Sequence, residues 1–254
     1  MIANPFINLK ARVLNSRLGR QFTGTFAIRF TNTGLKSVTA LVLARLLGTG
    51  PFGTYNFAMA WITMLTVLAI AGFDQLVIRN LAVHRTKSDW GRMNGLLRFS
   101  RSFTIWFAVG LAVAGAWIAW VTYKITGRPA LLRAEQADLA KAALYTLLIA
   151  LALLPIRVEL LLQQAAMQGL RRIVTAQIPE QVFQLVLYGV LIGGLFAVGR
   201  GAKSAQWAMT LQLVSYAVAL AYSTALLART VPRLVSETTP VIEARAWLSG
   251  ALPF

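Results

Sequence analysis

Residues 46–73 read Leu-Leu-Gly-Thr-Gly-Pro-Phe-Gly-Thr-Tyr-Asn-Phe-Ala-Met-Ala-Trp-Ile-Thr-Met-Leu-Thr-Val-Leu-Ala-Ile-Ala-Gly-Phe, an uncharged interval between Arg45 and Asp74. Its latter part, 54–73, has the length of a helix that crosses a bilayer, about 20 residues. Working outward, the same criterion predicts further spans over 25–47, 103–123, 142–164, 180–198 and 205–227. A seventh hydrophobic stretch opens near Ala246 and is too short to span before the sequence ends at Phe254. The chain therefore reads as an all-α integral membrane protein, a six-helix transmembrane bundle with the start of a seventh helix.

The composition agrees. Of 254 residues, 57% are hydrophobic and 13% charged, and the mean hydropathy is +0.63. Soluble domains carry about 25% charged residues. Disorder is excluded by the apolar content. There is no cysteine, so disulfides and thiol chemistry are absent. Lys and Arg total 25 against 8 acids, a formal net charge of +17. In an apolar chain this points to anionic lipid or anionic cargo rather than to nucleic acid.

Basic residues near span ends set the orientation. With the N-terminus cytoplasmic, fifteen fall inside and seven outside, which predicts a multi-pass protein of the cell inner (cytoplasmic) membrane. Residues 1–24 read as a basic, amphipathic interfacial helix. Residues 25–227 form the transmembrane lobe, 228–245 a cytoplasmic linker bracketed by Val231-Pro232 and Thr239-Pro240, and 246–254 the opening of helix 7. Ser88-Asp89 offers an N-cap for a long helix running into the third span. The fourth span is predicted to extend past Gln163 and Gln164, with a kink at Pro155. Gly193-Gly194 reads as a site of close helix packing.

No enzyme constellation is visible, and no metal site or cofactor is expected. His84, the one histidine, reads as a solvated residue of a basic loop. The informative residues are ionisable ones inside spans, which normally face a cavity or a partner. Arg29 and Lys36 are seven apart and share a helix face with Asn32 and Thr33. Arg157 follows Pro155. Glu159 and Gln163, four apart, form a second pair, and Glu180, Gln184 and Tyr188 line one face of the fifth span. Arg157 and Glu159 point to different sides, so each needs a partner on another helix. With Gln212, Tyr216 and their neighbours, these residues suggest a wet cavity between helices. Arg29, Lys36, Arg157, Asn32 and Thr33 are the candidate anion-binding set. Glu159, Gln163, Glu180 and Gln184 are candidate cavity or ion-coupling residues, and Asp74 with Arg79 a candidate gate.

The stretch Ala44-Arg45-Leu46-Leu47-Gly48, continued by Phe52-Gly53-Thr54-Tyr55, resembles the block that ends the first helix of Wzx-type polysaccharide flippases. These belong to the MATE-like MOP superfamily. Ala71-Gly72-Phe73-Asp74 and Ile78-Arg79-Asn80-Leu81-Ala82 are similar to the segment that follows helix 2 in that family. The resemblance covers the whole chain but only the N-terminal lobe of a two-lobed architecture, the linker and the first turns of helix 7. It implies a truncated frame or fragment, or alternatively a half-transporter that pairs with a second copy. It further implies a polyprenyl-diphosphate-linked anionic oligosaccharide as cargo, held by cationic cavity residues and moved by alternating access. Glycan polymerase or glycosyltransferases would be neighbours, and membrane lipids the surroundings. Two other readings stay open: a MATE-like cation or drug antiporter lobe, and a non-transporting scaffold of a glycan assembly complex.

Overall fold

A computed structural model describes residues 17–126, 134–197, 204–231, 238–241 and 247. Most of the interfacial segment 1–24, the outer turns at Gly127, Gly199 and Gly201, and most of 228–254 lie outside these residues. The described chain is helical, with no strand among the described residues. In order come α1 (Arg17–Leu47), α2 (Thr49–Ile70), α3 (Phe73–Thr86), α4 (Trp90–Thr126) and α5 (Ala134–Gly169). They are followed by α6 (Ile173–Ile178), a π-type turn (Pro179–Phe183), α7 (Gln184–Ala197) and α8 (Ala205–Thr230).

Among the described residues, four helices are long and apolar enough to cross a membrane: Thr49–Ile70, Trp90–Ile125, Asp138–Gly169 and Ala205–Thr230. They correspond to the second, third, fourth and sixth predicted spans. The first predicted span forms a helix of sufficient length, yet Arg29, Lys36 and their polar neighbours lower its hydropathy. The fifth opens within the π-type turn Pro179–Phe183, where Gln184 N–H bonds back five residues to the Pro179 carbonyl. Hydropathy and length among the described residues thus support four of the six predicted spans.

α5 is the central helix and packs against α2, α3, α4, α6 and α8. One cluster of buried side chains joins α2, α5, α7 and α8 through residues such as Ile62, Leu154, Val158, Tyr188 and Met209. A second joins α3, α4 and α5 through Phe73, Leu76, Leu81, Met93, Leu96, Leu162 and Ala166. Large apolar side chains on the outside, among them Phe30, Trp106, Val113 and Trp117, are exposed. A helix face of that composition is solvated by lipid, not by water.

The long-helix expectations hold in form. α4 begins at Trp90, and Asp89 caps it by accepting a 3.2 Å hydrogen bond from Arg92 N–H. α5 runs from Ala134 to Gly169 with Pro155 inside it. The stretch after the second span is a separate helix, not a loop. The chain turns through Ala71 (φ 45°) and Gly72 (φ 76°), both left-handed, and restarts as α3. His84 thus lies in the last turn of a helix. Gly193 and Gly194 are exposed and meet no neighbour, so they are not packing sites among the described residues. Close approach occurs at Gly95, where a Cβ would overlap the Val241 carbonyl.

Candidate functional site

α1 stands against α2, α6, the π-type turn and α7. Of its polar stripe Asn32 is buried there, whereas Arg29, Thr33 and Lys36 are exposed, as are Phe26, Phe30, Val38 and Leu41. Between these elements, α5 and α8 lies a cavity of about 540 Å³. α1 contributes Arg29, Asn32, Thr33, Lys36 and Thr39 to its wall, and α5 contributes Arg157. The π-type turn and α7 supply Glu180, Gln181, Gln184 and Tyr188, and α8 supplies Gln212 and Tyr216. α2 closes the remaining side with Tyr55, Asn56, Met59 and Thr63.

The wall is held by specific bonds. Asn32 Nδ2 donates to the Gln181 carbonyl at 2.7 Å, tying α1 to the π-type turn. Gln184 Nε2 donates to Ser215 Oγ at 3.0 Å, and Tyr188 Oη to the Ala208 carbonyl at 3.3 Å. Both join α7 to α8. Thr33 and Ser37 donate to carbonyls one turn back in their own helix, so their hydroxyls are partly satisfied locally. Arg157 Nη1 donates to Thr63 Oγ1 at 3.2 Å, while its Nε is buried with no hydrogen-bond partner.

Among the described residues, none of the three cations Arg29, Lys36 and Arg157 makes an ion pair within 4.0 Å. Glu180 is the acid that shares their cavity. The excess is cationic, and in a low-dielectric setting the attraction for an anion is far stronger than in water. A guanidinium with an unpartnered Nε is chemically suited to a phosphate or carboxylate oxygen.

The structure divides the remaining candidate residues. Glu180 and Gln184 line the cavity with the cations. Glu159 and Gln163 are not among its lining residues. They lie on the opposite side of α5, where Glu159 forms a 2.9 Å ion pair with Arg101 Nε of α4. Gln163 Nε2 donates to Glu159 Oε1 at 2.8 Å and to Thr224 Oγ1 of α8 at 3.0 Å. Arg157 and Glu159 thus find partners on other helices, as their two-residue spacing demands. Asp74 lines a separate cleft at the α2–α3 elbow, while Arg79 is exposed on α3 and lines neither that cleft nor the cavity of Arg29, Lys36 and Arg157.

The contribution of α2 was missed by the reading of charged residues. Tyr55, Asn56, Met59 and Thr63 recur at helical spacing on one face. Asn56 and Thr63, seven apart, repeat the interval of Arg29 and Lys36. That polar periodicity inside an apolar span was the available signal.

A family profile described as "Polysaccharide biosynthesis protein" matches residues 18–242. The chain belongs to this family. It is the family of Wzx-type polysaccharide flippases of the MOP superfamily, whose members are transporters rather than enzymes. No curated protein and no solved structure matches the chain significantly. Together with the four apolar helices, membership makes this polysaccharide-family chain a multi-pass membrane protein.

Proposed function

We propose that this chain supplies the N-terminal lobe of a flippase that moves a polyprenyl-diphosphate-linked oligosaccharide across the cytoplasmic membrane. The observation that carries the reading is the meeting of Arg29, Lys36 and Arg157 on one cavity, with Arg157 Nε buried and unpartnered. In this reading α1, α2, α4, α5, the α6–α7 unit and α8 are six membrane-crossing elements, with the N-terminus cytoplasmic. α1 crosses despite its charges because its polar stripe faces the cavity and its apolar face meets lipid. The α6–α7 unit crosses despite the irregular turn because that turn lines a cavity, the setting in which non-helical backbone is tolerated at membrane depth.

The diphosphate supplies the negative charge, and the guanidinium groups and the lysine receive it. Alternating access follows from rocking this lobe against a C-terminal lobe or a second copy. Residues 228–245 serve as the linker between lobes. Glycan polymerase and glycosyltransferases deliver and consume the cargo.

The test is export by the flippase carrying Arg29→Ala, Lys36→Ala or Arg157→Ala, with protein levels measured in parallel. Export is expected to fall at least tenfold in each at normal protein level. Normal export by all three variants would sink the cavity assignment. A cation or drug antiporter finds less support, since cationic side chains outnumber the one acid in the cavity and Glu159 is taken up by Arg101.

A further inference from the structure

Farther along α2 and α5 the same two helices line a second space. One turn past Thr63 on α2, and one to three turns past Arg157 on α5, a second cleft of about 490 Å³ opens. Thr66, Gln164 and Gln168 line it, and the first turn of α3 closes it with Asp74 and Gln75. Thr63 and Arg157, joined by a 3.2 Å hydrogen bond, are the last residues of α2 and α5 to line the cationic cavity before the residues of the cleft begin. Gln164 and Gln168 are displaced from Arg157 by about 10 and 16 Å along the helix axis, at 1.5 Å per residue.

The chemistry of the two spaces differs. No lysine or arginine lines the second cleft. Its polar groups are one carboxylate, three carboxamides and one hydroxyl. Carboxamides both donate and accept, and a carboxylate accepts. Such a set matches groups that are themselves donors and acceptors on neutral carbon, which is to say sugar hydroxyls. A diphosphate would be repelled by Asp74. The Thr66 hydroxyl already donates to the Ile62 carbonyl at 2.6 Å, so toward a ligand it can only accept. Gln164 Oε1 is buried and has no hydrogen-bond partner. Such an orphaned acceptor costs about 1–3 kcal/mol unless something donates to it.

We infer that this cleft is a carbohydrate subsite, in which Gln164, Gln168 and Asp74 hold uncharged, hydroxyl-bearing sugar units while the cationic cavity holds the anionic part of the same ligand. The inference rests on the flippase reading and assigns its cargo a direction along α5.

The test uses the purified protein in lipid nanodiscs and two probes, farnesyl diphosphate and farnesyl diphosphate bearing a neutral tetrahexose. The wild type is expected to bind the glycosylated probe about tenfold more tightly. Gln164→Leu and Gln168→Leu are each expected to remove most of that gain and to leave farnesyl diphosphate binding unchanged. Arg157→Ala is expected to weaken both probes. Melting temperatures show which variants fold, and Asp74→Asn replaces either glutamine variant that does not. Equal binding of the two probes by the wild type would overturn the subsite and leave the diphosphate reading standing. So would a sugar-dependent gain that survives in all the folded variants. Binding of neither probe would overturn both.

Discussion

Asn32, in the first helix, donates a 2.7 Å hydrogen bond to the main-chain carbonyl of Gln181, in the π-type turn. The two residues are 149 apart in sequence. A π-type turn shifts the carbonyl ladder from i→i+4 to i→i+5, which disturbs the pairing of nearby carbonyls. Here a side chain from another helix serves one of them, and the same bond fixes the polar stripe of α1 against Glu180. Asn32→Leu keeps the branched skeleton of the side chain and removes the donor. It is expected to destabilise the protein by about 1–2 kcal/mol and to lower export without touching a cation. Thermal unfolding in detergent beside an export assay checks this, and unchanged values in both would refute it.

The Arg101–Glu159 ion pair is asymmetric. The glutamate side chain is 5% exposed and the arginine 59%. Removing the arginine strands a buried carboxylate, whereas neutralising the glutamate leaves an exposed cation free to find water. Arg101→Ala is therefore expected to be the worse single change, by about 1–3 kcal/mol. Glu159→Gln added to it is expected to recover most of the loss, because an amide oxygen at this position can still accept from Gln163 Nε2. Denaturation of the two single variants and the double variant measures the coupling.

Thr238–Val241 runs along the start of α4. Asn94 Nδ2 donates to the Thr238 carbonyl at 2.8 Å, and Val241 N–H to the Gly91 carbonyl at 3.1 Å. Trp247 is buried against Phe99, with ring centroids 5.5 Å apart. The Val241 carbonyl lies so close to Gly95 that no side chain fits there. Gly95→Val is expected to lift this segment, and limited proteolysis is then expected to cut near Thr238–Val241 several-fold faster than in the wild type. A similar rate in both would show that the segment is not held by this contact.

The chain lacks cysteine, so single cysteines report topology without interference. Lys87 and Lys124 are both exposed, just before α4 begins and near its far end. The charge bias puts Lys87 inside and Lys124 outside. In right-side-out vesicles a membrane-impermeant maleimide is expected to label Lys124→Cys and to reach Lys87→Cys only after permeabilisation. The reverse pattern would invert the proposed orientation.

Much of the site was legible because the membrane imposes a strict local rule. A charge inside an apolar run is costly wherever it occurs, so Arg29, Lys36, Arg157 and Glu180 stand out without any structure. Spacing by seven placed Arg29 and Lys36 on one face, and spacing by four grouped Glu180, Gln184 and Tyr188. The same logic grouped Glu159 with the cavity residues, which the structure does not do. Spacing gives the angle between side chains on one helix but not the direction of the cavity. Arg157 and Glu159 are two residues apart, and α5 is surrounded by neighbours on several sides, so one faces α2 and the other α4.

α3 escaped notice for a different reason. It is short and basic, and a helix of 14 residues draws its stability from packing of its Phe73, Leu76, Val77 and Leu81 face rather than from its own propensity. The π-type turn at Pro179 and the docking of Thr238–Val241 have no local signature either. By itself the sequence determined the helical class, the long apolar helices and which residues pay a desolvation penalty, because each follows from chemistry within one or two dozen neighbouring residues. Only the tertiary structure decided that Arg29, Lys36, Arg157 and Glu180 share one space, and that Glu159 answers to Arg101. Those pairings join segments far apart in the chain, and only packing of the helices chooses among them.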